Sequence, residues 1–162
     1  LVNRDLRSDE LAVSSVEIGL VFITVNLVTG SFWARPIWGI WYSWDARGTS
    51  TLILWLVYVA YLMLRATGGP GPRIARFAAV LGIVGALNVP LVFLSVRLWK
   101  TLHPEPTVLT TDQSGGLPSE MLVALLVSLL AFTLLYALLM VERVRWDRAR
   151  ERLGRLRTEL GL

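Results

Sequence analysis

Apolar residues gather into four long stretches, at about residues 11–31, 49–64, 74–98 and 121–141. Glu17 and Asn26 interrupt the first, and the fourth holds no charge at all. A bilayer core of about 30 Å takes roughly 20 residues of helix, so the shorter second stretch needs flanking residues to cross it. Backbone groups in lipid must be satisfied within the segment, which leaves helices as the spanning form. The expected fold class is therefore all-α, a polytopic transmembrane helical bundle with four spans in this chain. In the third stretch Ala78, Gly82 and Ala86 recur at four-residue spacing, the small-residue pattern that lets helices approach closely. Asn88 and Pro90 follow, and predict a kink. No repeat at a fixed period is found.

The pattern changes after residue 141. Trp146, Ala149, Leu153, Leu156 and Leu160 fall at spacings of 3, 4, 3 and 4, one apolar stripe on a helix. Glu151 and Arg155 are spaced for an ion pair one turn apart. This divides the chain into a transmembrane domain, 1–141, and a basic amphipathic tail helix, 142–162. Two readings of the tail stand side by side. It extends the fourth span and rests on anionic lipid, or it docks a cytoplasmic partner.

Charge orients the spans. Residues 1–10, the connection 65–76 and the tail carry 12 of the 16 basic residues. Arg35, Arg47, Arg97 and Lys100 are on the other side. The positive-inside rule places both ends, and the turn at 67–72, in the cytoplasm. It places a Trp-rich segment, 32–50, and a His segment, 99–119, outside. The chain starts at Leu1 rather than Met, which reads as a processed or truncated start, and residues 1–10 are no signal peptide.

Composition agrees. Hydrophobic residues make up 54% of the 162, and with the 13 glycines the apolar share is about 62%, against about 45–50% for soluble domains. Charged residues are 17%, against about 25%. A disordered chain is excluded and a soluble domain fits poorly. The absence of cysteine removes disulfides, thiolate metal sites and thiol catalysis, and a single histidine removes a multi-histidine metal site. The net charge of +4 does not point to nucleic acid, because most of it flanks apolar runs.

Four of the seven tryptophans, Trp33, Trp38, Trp41 and Trp44, sit within twelve residues of the first outward segment. Interfacial belts place tryptophans at both membrane surfaces, but do not predict four in one short connection. Pro36 is suited to start a short helix. In it Trp38, Trp41 and Trp44 would spread over about 120° of one side, as an aromatic shelf parallel to the membrane. Such a shelf suits a flat, π-rich ligand. Arg35 and Arg47 flank it and suit carboxylates. Asp45 is placed to pair with either arginine, and Thr49 or Ser50 to cap the next helix. On these residues alone, a ligand platform and an interfacial anchor stand equal. His103, the only histidine, lies in the other outward segment. A lone histidine is usually a surface or capping residue. Imidazole is also a common axial ligand of haem iron, and aromatic shelf, imidazole and arginines for the propionates together describe a haem site.

The segment PIWGIWYSWDARGTS (36–50) resembles the tryptophan-rich "WWD" signature of haem-handling proteins in cytochrome c maturation. Trp44-Asp45-Ala46-Arg47 followed by Thr49-Ser50 resembles the heme exporter protein C (CcmC) branch. The CcsA-like and CcmF-like synthetase branches usually continue the Trp-Asp pair with a proline-containing sequence. Thr101-Leu102-His103 matches the branch's downstream outward histidine. The resemblance runs from about Asp5 into the fourth span. Tyr42 departs from it, standing where a second adjacent tryptophan is common, and so does Gly48, where leucine is usual.

The resemblance implies a haem-binding membrane subunit of the bacterial inner membrane, with haem b as a non-covalent, transient cargo. It would present haem at the periplasmic face to the haem chaperone CcmE, beside an ABC transporter complex that drives release and a small membrane subunit. Trp38, Trp41, Tyr42 and Trp44 would stack on the macrocycle beside Asp45. His103 would ligate iron, and Arg35 or Arg47 would hold a propionate. No covalent step is implied, so no enzyme activity is expected. Family members have six spans and a further histidine in the second, so this chain would be the C-terminal part, lacking one axial ligand. The alternatives are a component of a cytochrome c haem lyase, disfavoured by the sequence after Asp45 and the small size, and a structural subunit whose tryptophans only anchor it.

Overall fold

The computed structural model describes residues 6–69, 71–104 and 117–160. Of the features expected above, the residues up to Asp5, Pro70 in the 67–72 turn, 105–116 of the His segment and 161–162 of the tail lie outside the described residues. The chain is all-helical, in the order α1 (Leu6–Trp38), α2 (Ala46–Thr67), α3 (Pro72–Leu98) and α4 (Ser119–Glu159), with no strand among the described residues. All four helices are long and apolar enough to cross a membrane. The described residues form two compact units, one of 19–104 and one of 6–18 with 117–160.

In the first unit α1 runs past the first apolar stretch into the tryptophan segment. Pro36 lies inside this helix and does not start a new one, so the expected short helix carrying Trp38, Trp41 and Trp44 is absent. Proline lacks an amide to donate but leaves the rest of a last turn intact. The helix stops where Gly39 adopts φ 73°, a left-handed conformation that glycine takes without strain. The Gly39 amide donates to the Arg35 carbonyl at 3.0 Å, and the Arg35 guanidinium donates to the Gly39 carbonyl. Trp41 and Trp44 therefore lie in a non-helical connection.

The N-cap of α2 is Asp45, not Thr49 or Ser50. Its carboxylate accepts the Gly48 amide at 2.8 Å. Ser50 instead turns its hydroxyl to the Ala46 carbonyl at 2.6 Å, inside the helix. At its other end α2 closes on the Gly68 amide, which donates to the Leu64 carbonyl, and Pro72 opens α3 in a first turn that needs no proline amide.

α2 and α3 pack with Leu54 and Tyr61 buried on one side and Ala78, Gly85, Ser95 and Val96 on the other. A Cβ added at Gly85 would overlap the Tyr58 ring, whereas one at Gly82 would sit 3.8 Å from the Tyr61 ring. The close approach thus follows Ala78, Gly82 and Gly85, and Ala86, expected in it, is exposed. Steps of four and three keep to one side of a 3.6-residue helix, while a second step of four drifts off it. Asn88 donates to the Ser50 carbonyl at 2.8 Å, and α3 runs from Pro72 through Pro90 to Leu98 as one helix. Trp55 ties α2 to α1 by donating its indole N–H to Thr24 Oγ1 at 2.8 Å.

In the second unit the start of α1 meets α4. Ser15 and Tyr136 share a hydrogen bond of 2.8 Å. Glu17, the charge that interrupts the first apolar stretch, takes Arg143 in a two-point pair, Nε to Oε2 at 2.6 Å and Nη2 to Oε1 at 3.1 Å. Arg143 also reaches Asp147. α4 continues unbroken from the apolar stretch through the tail. A further ion pair on α4 joins Arg145 to Glu142. Among the described residues Glu151 and Arg155 form none.

Candidate functional site

Every expected site residue belongs to the first unit. The end of α1 supplies Arg35 and Trp38, and the connection to α2 supplies Trp41, Tyr42, Trp44 and Asp45. The start of α2 supplies Arg47, and the segment after α3 supplies His103.

Asp45 joins these pieces. One carboxylate oxygen, Oδ1, caps α2 through Gly48. The other, Oδ2, lies 2.8 Å from His103 Nδ1 and accepts the Leu102 amide at 3.1 Å. The partner of Asp45 is thus the histidine rather than Arg35 or Arg47. Its side chain is only 9% exposed and that of His103 25%, so water screens this contact weakly. Burial disfavours the ionised carboxyl. The Gly48 amide, the His103 ring and the Leu102 amide more than offset that, and hold Asp45 below the usual carboxylate range. Thr101 donates its hydroxyl to the His103 carbonyl at 3.1 Å, bracing the same loop.

The aromatic rings do not form a flat shelf. Trp38 meets the His103 ring edge-on, centroids 4.9 Å apart, and Trp33 meets Trp38 in the same way at 5.1 Å. Tyr42 and Trp44 pair at 5.0 Å and 72°, and Phe32 and Trp41 at 5.8 Å and 82°. Edge-on pairs set the negative face of one ring against the positive rim of another. They make walls, not a stack. Trp41, Tyr42 and Trp44 line an open concavity of about 450 Å³ with Val28 and Phe32 of α1 and Leu52 of α2. Arg35 lies over Trp41 at 5.7 Å, at cation–π range. Burial, and then the Asp45 carboxylate, push the Tyr42 hydroxyl above its ordinary pKa, so it stays protonated and donates to the Gly48 carbonyl at 2.5 Å.

The structure therefore gathers Trp38, Asp45 and His103 into one contact group, and Trp41, Tyr42 and Trp44 around the concavity. Arg47 stands in the first turn of α2, next to the cap. Phe32 and Trp33 are additions that the sequence reading did not place in the site. Their spacing from Trp38 carried a signal only once α1 was known to continue through Pro36. An imidazole whose Nδ1 is held by a carboxylate offers Nε2 to a ligand, the arrangement common behind metal-binding histidines.

The sequence model of the Heme exporter protein C family (CcmC) matches residues 1–159. Heme exporter protein C of Bradyrhizobium diazoefficiens is 43% identical over 157 residues, covering 96% of this chain and 59% of its own length. Heme exporter protein C of Escherichia coli K12 is 36% identical over 141 residues, covering 86% and 56%. A putative cytochrome c biosynthesis ccmC-like mitochondrial protein of Arabidopsis thaliana is 33% identical over 132 residues, covering 82% and 48%. The chain spans about half the length of the curated relatives it matches.

Proposed function

Because the chain belongs to the heme exporter protein C family, we propose that it holds haem at the outer face of the bacterial inner membrane during cytochrome c maturation. The observation that carries this reading is the Asp45–His103 contact beside Trp38. Asp45 takes Nδ1, which leaves Nε2 to ligate haem iron, and a carboxylate behind the ring makes the imidazole a stronger donor. Trp41, Tyr42 and Trp44 cover the macrocycle from the concavity, and Arg35 or Arg47 meets a propionate. The haem is b-type and non-covalent, a cargo that leaves again, and the chain performs no covalent step.

Haem passes from this site to the periplasmic chaperone CcmE, and an ABC-type complex with a small membrane subunit drives release of the loaded chaperone. Both ends of the chain are cytoplasmic. The basic residues of the ends and of the α2–α3 turn support this orientation. The Glu17–Arg143 pair, which brings the early part of α1 to the end of the fourth apolar stretch, supports both ends lying on the same side.

The test is His103→Ala in the natural full-length protein. Haem retention is expected to fall and the Soret band to shift, with partial recovery on adding imidazole, because the vacated space admits it. A spectrum identical to wild type overturns His103 as ligand. Alanine at Trp38, Trp41 and Trp44 together is expected to lower haem content at unchanged protein level, with Trp146→Ala as the control on the other side. Intact haem content in that triple variant leaves the tryptophans as anchors only.

A further inference from the structure

The tail of α4 carries a feature that haem handling does not use. Trp146, Ala149, Leu153, Leu156 and Leu160 are all exposed. Their 3-4-3-4 spacing is that of the a and d positions of a heptad, the seam of a coiled coil. The positions that flank such a seam, e and g, hold Arg145, Arg150, Arg152, Arg157 and Glu159. Four of five are arginine. The residues that reach α1, Tyr136 and Arg143, lie roughly 110° around the helix from the centre of the seam, at 100° per residue. The seam therefore stands to one side of the α1 contact and is not covered by it within its unit.

Continuity of the helix decides between lipid and protein. The apolar stretch 121–141 fills a hydrocarbon core of about 30 Å by itself. Because α4 continues as one helix past residue 142, Leu153 lies about 18 Å along it beyond that stretch, at 1.5 Å per residue. A tilt of about 40°, the upper end for membrane helices, still leaves about 14 Å. Headgroups occupy only about 6 Å on each side. An amphipathic helix that binds a membrane surface lies in the plane of that surface. This one projects from it.

A second copy of the chain is a poor occupant as well. In either orientation of a paired dimer, arginine would stand opposite arginine at the flanking positions, and like charges there select against pairing. We propose that the α4 extension is one half of a heterotypic coiled coil, whose other half is a helix with apolar a and d residues and acidic e and g residues. The arginines choose the partner, and the leucines and Trp146 supply the buried seam.

The natural full-length protein, in neutral and in anionic lipid nanodiscs, tests this with three labelled probes. One is a four-heptad peptide with Leu at a and d and Glu at e and g, the second has Lys at e and g, and the third is a scrambled acidic peptide. The Glu peptide is expected to bind in neutral nanodiscs in preference to both controls, and more weakly as salt rises. The variant R150E/R152E/R157E is expected to bind the Glu peptide about tenfold more weakly, since each exposed ion pair contributes at most a few-fold, and to gain affinity for the Lys peptide. Leu153→Asp with Leu156→Asp should abolish binding of both while helicity by circular dichroism is kept. Equal binding of Glu and scrambled peptides overturns the seam. A probe at residue 153 quenched by lipid-borne nitroxides in anionic nanodiscs overturns it in favour of a surface helix. Tail-dependent dimers of the chain itself overturn the heterotypic choice.

Discussion

Asp45 performs two tasks with two oxygens: it caps α2 through Gly48 and holds the His103 ring. An N-cap aspartate contributes about 0.5–2 kcal/mol to its helix. Since its folded-state carboxyl is held below the ordinary 3.8, this stabilisation is fully present above that value. It is lost as pH falls below 3.8 and through the folded pKa, because the unfolded chain takes up the proton first. Melting of the protein in detergent should thus show a wild-type advantage over Asp45→Ala that is present at neutral pH and shrinks below about pH 4. Gly48 makes a second residue-scale prediction. A Cβ there would overlap the Ser43 carbonyl. Gly48→Ala is therefore expected to lower the melting temperature, although alanine is better in a helix by about 1 kcal/mol. A rise in melting temperature would mean that the connection yields without cost. The glycine serves a close backbone approach, which the sequence alone left unexplained.

At the scale of elements, the α2–α3 pair rests on two glycines in different surroundings. Gly85 faces the Tyr58 ring with no room for a methyl group, while Gly82 has ordinary contact distance to Tyr61. Gly85→Ala should cost about 1–3 kcal/mol through overpacking, as such insertions do. Gly82→Ala should be neutral or slightly stabilising. Denaturant unfolding of the two variants checks the contrast, and equal effects would count against the packing. Asn88 adds a polar tie from α3 to the Ser50 carbonyl near the start of α2. Through Ser50 and Asp45, that tie steadies the helix end on which the histidine contact depends.

For the whole molecule, the question is which side each connection occupies. The distribution of basic residues supports the proposal that the ends lie on one side and the tryptophan-rich and histidine-bearing segments on the other. A reporter fused after residue 162 is expected to report the cytoplasm and one inserted in 105–116 the periplasm. An external C-terminal reporter reverses the chain and moves His103 to the cytoplasmic side. The Glu17–Arg143 pair belongs to this scale too. It links residues 126 positions apart in sequence, and only about a third of each side chain remains exposed.

The sequence by itself determined the helices, because a bilayer span needs a long apolar run and no other regular form hides its backbone in lipid. It also singled out Trp38, Asp45 and His103, since an unusual density of tryptophan and a unique histidine are visible without coordinates. The tertiary structure decided what they touch. Asp45 and His103 stand 58 positions apart, and nothing local in either segment selects the histidine over the nearby Arg47 as the partner of the carboxylate. The end of α1 was also undecided, because Pro36 is compatible with a first turn or a last one, and it is the left-handed Gly39 that closes the helix. The aromatic rings became walls instead of a shelf for the same reason. Once α1 holds Trp38 and releases Trp41 and Trp44 into a connection, their faces are set by neighbours from Phe32 to His103 rather than by helical spacing.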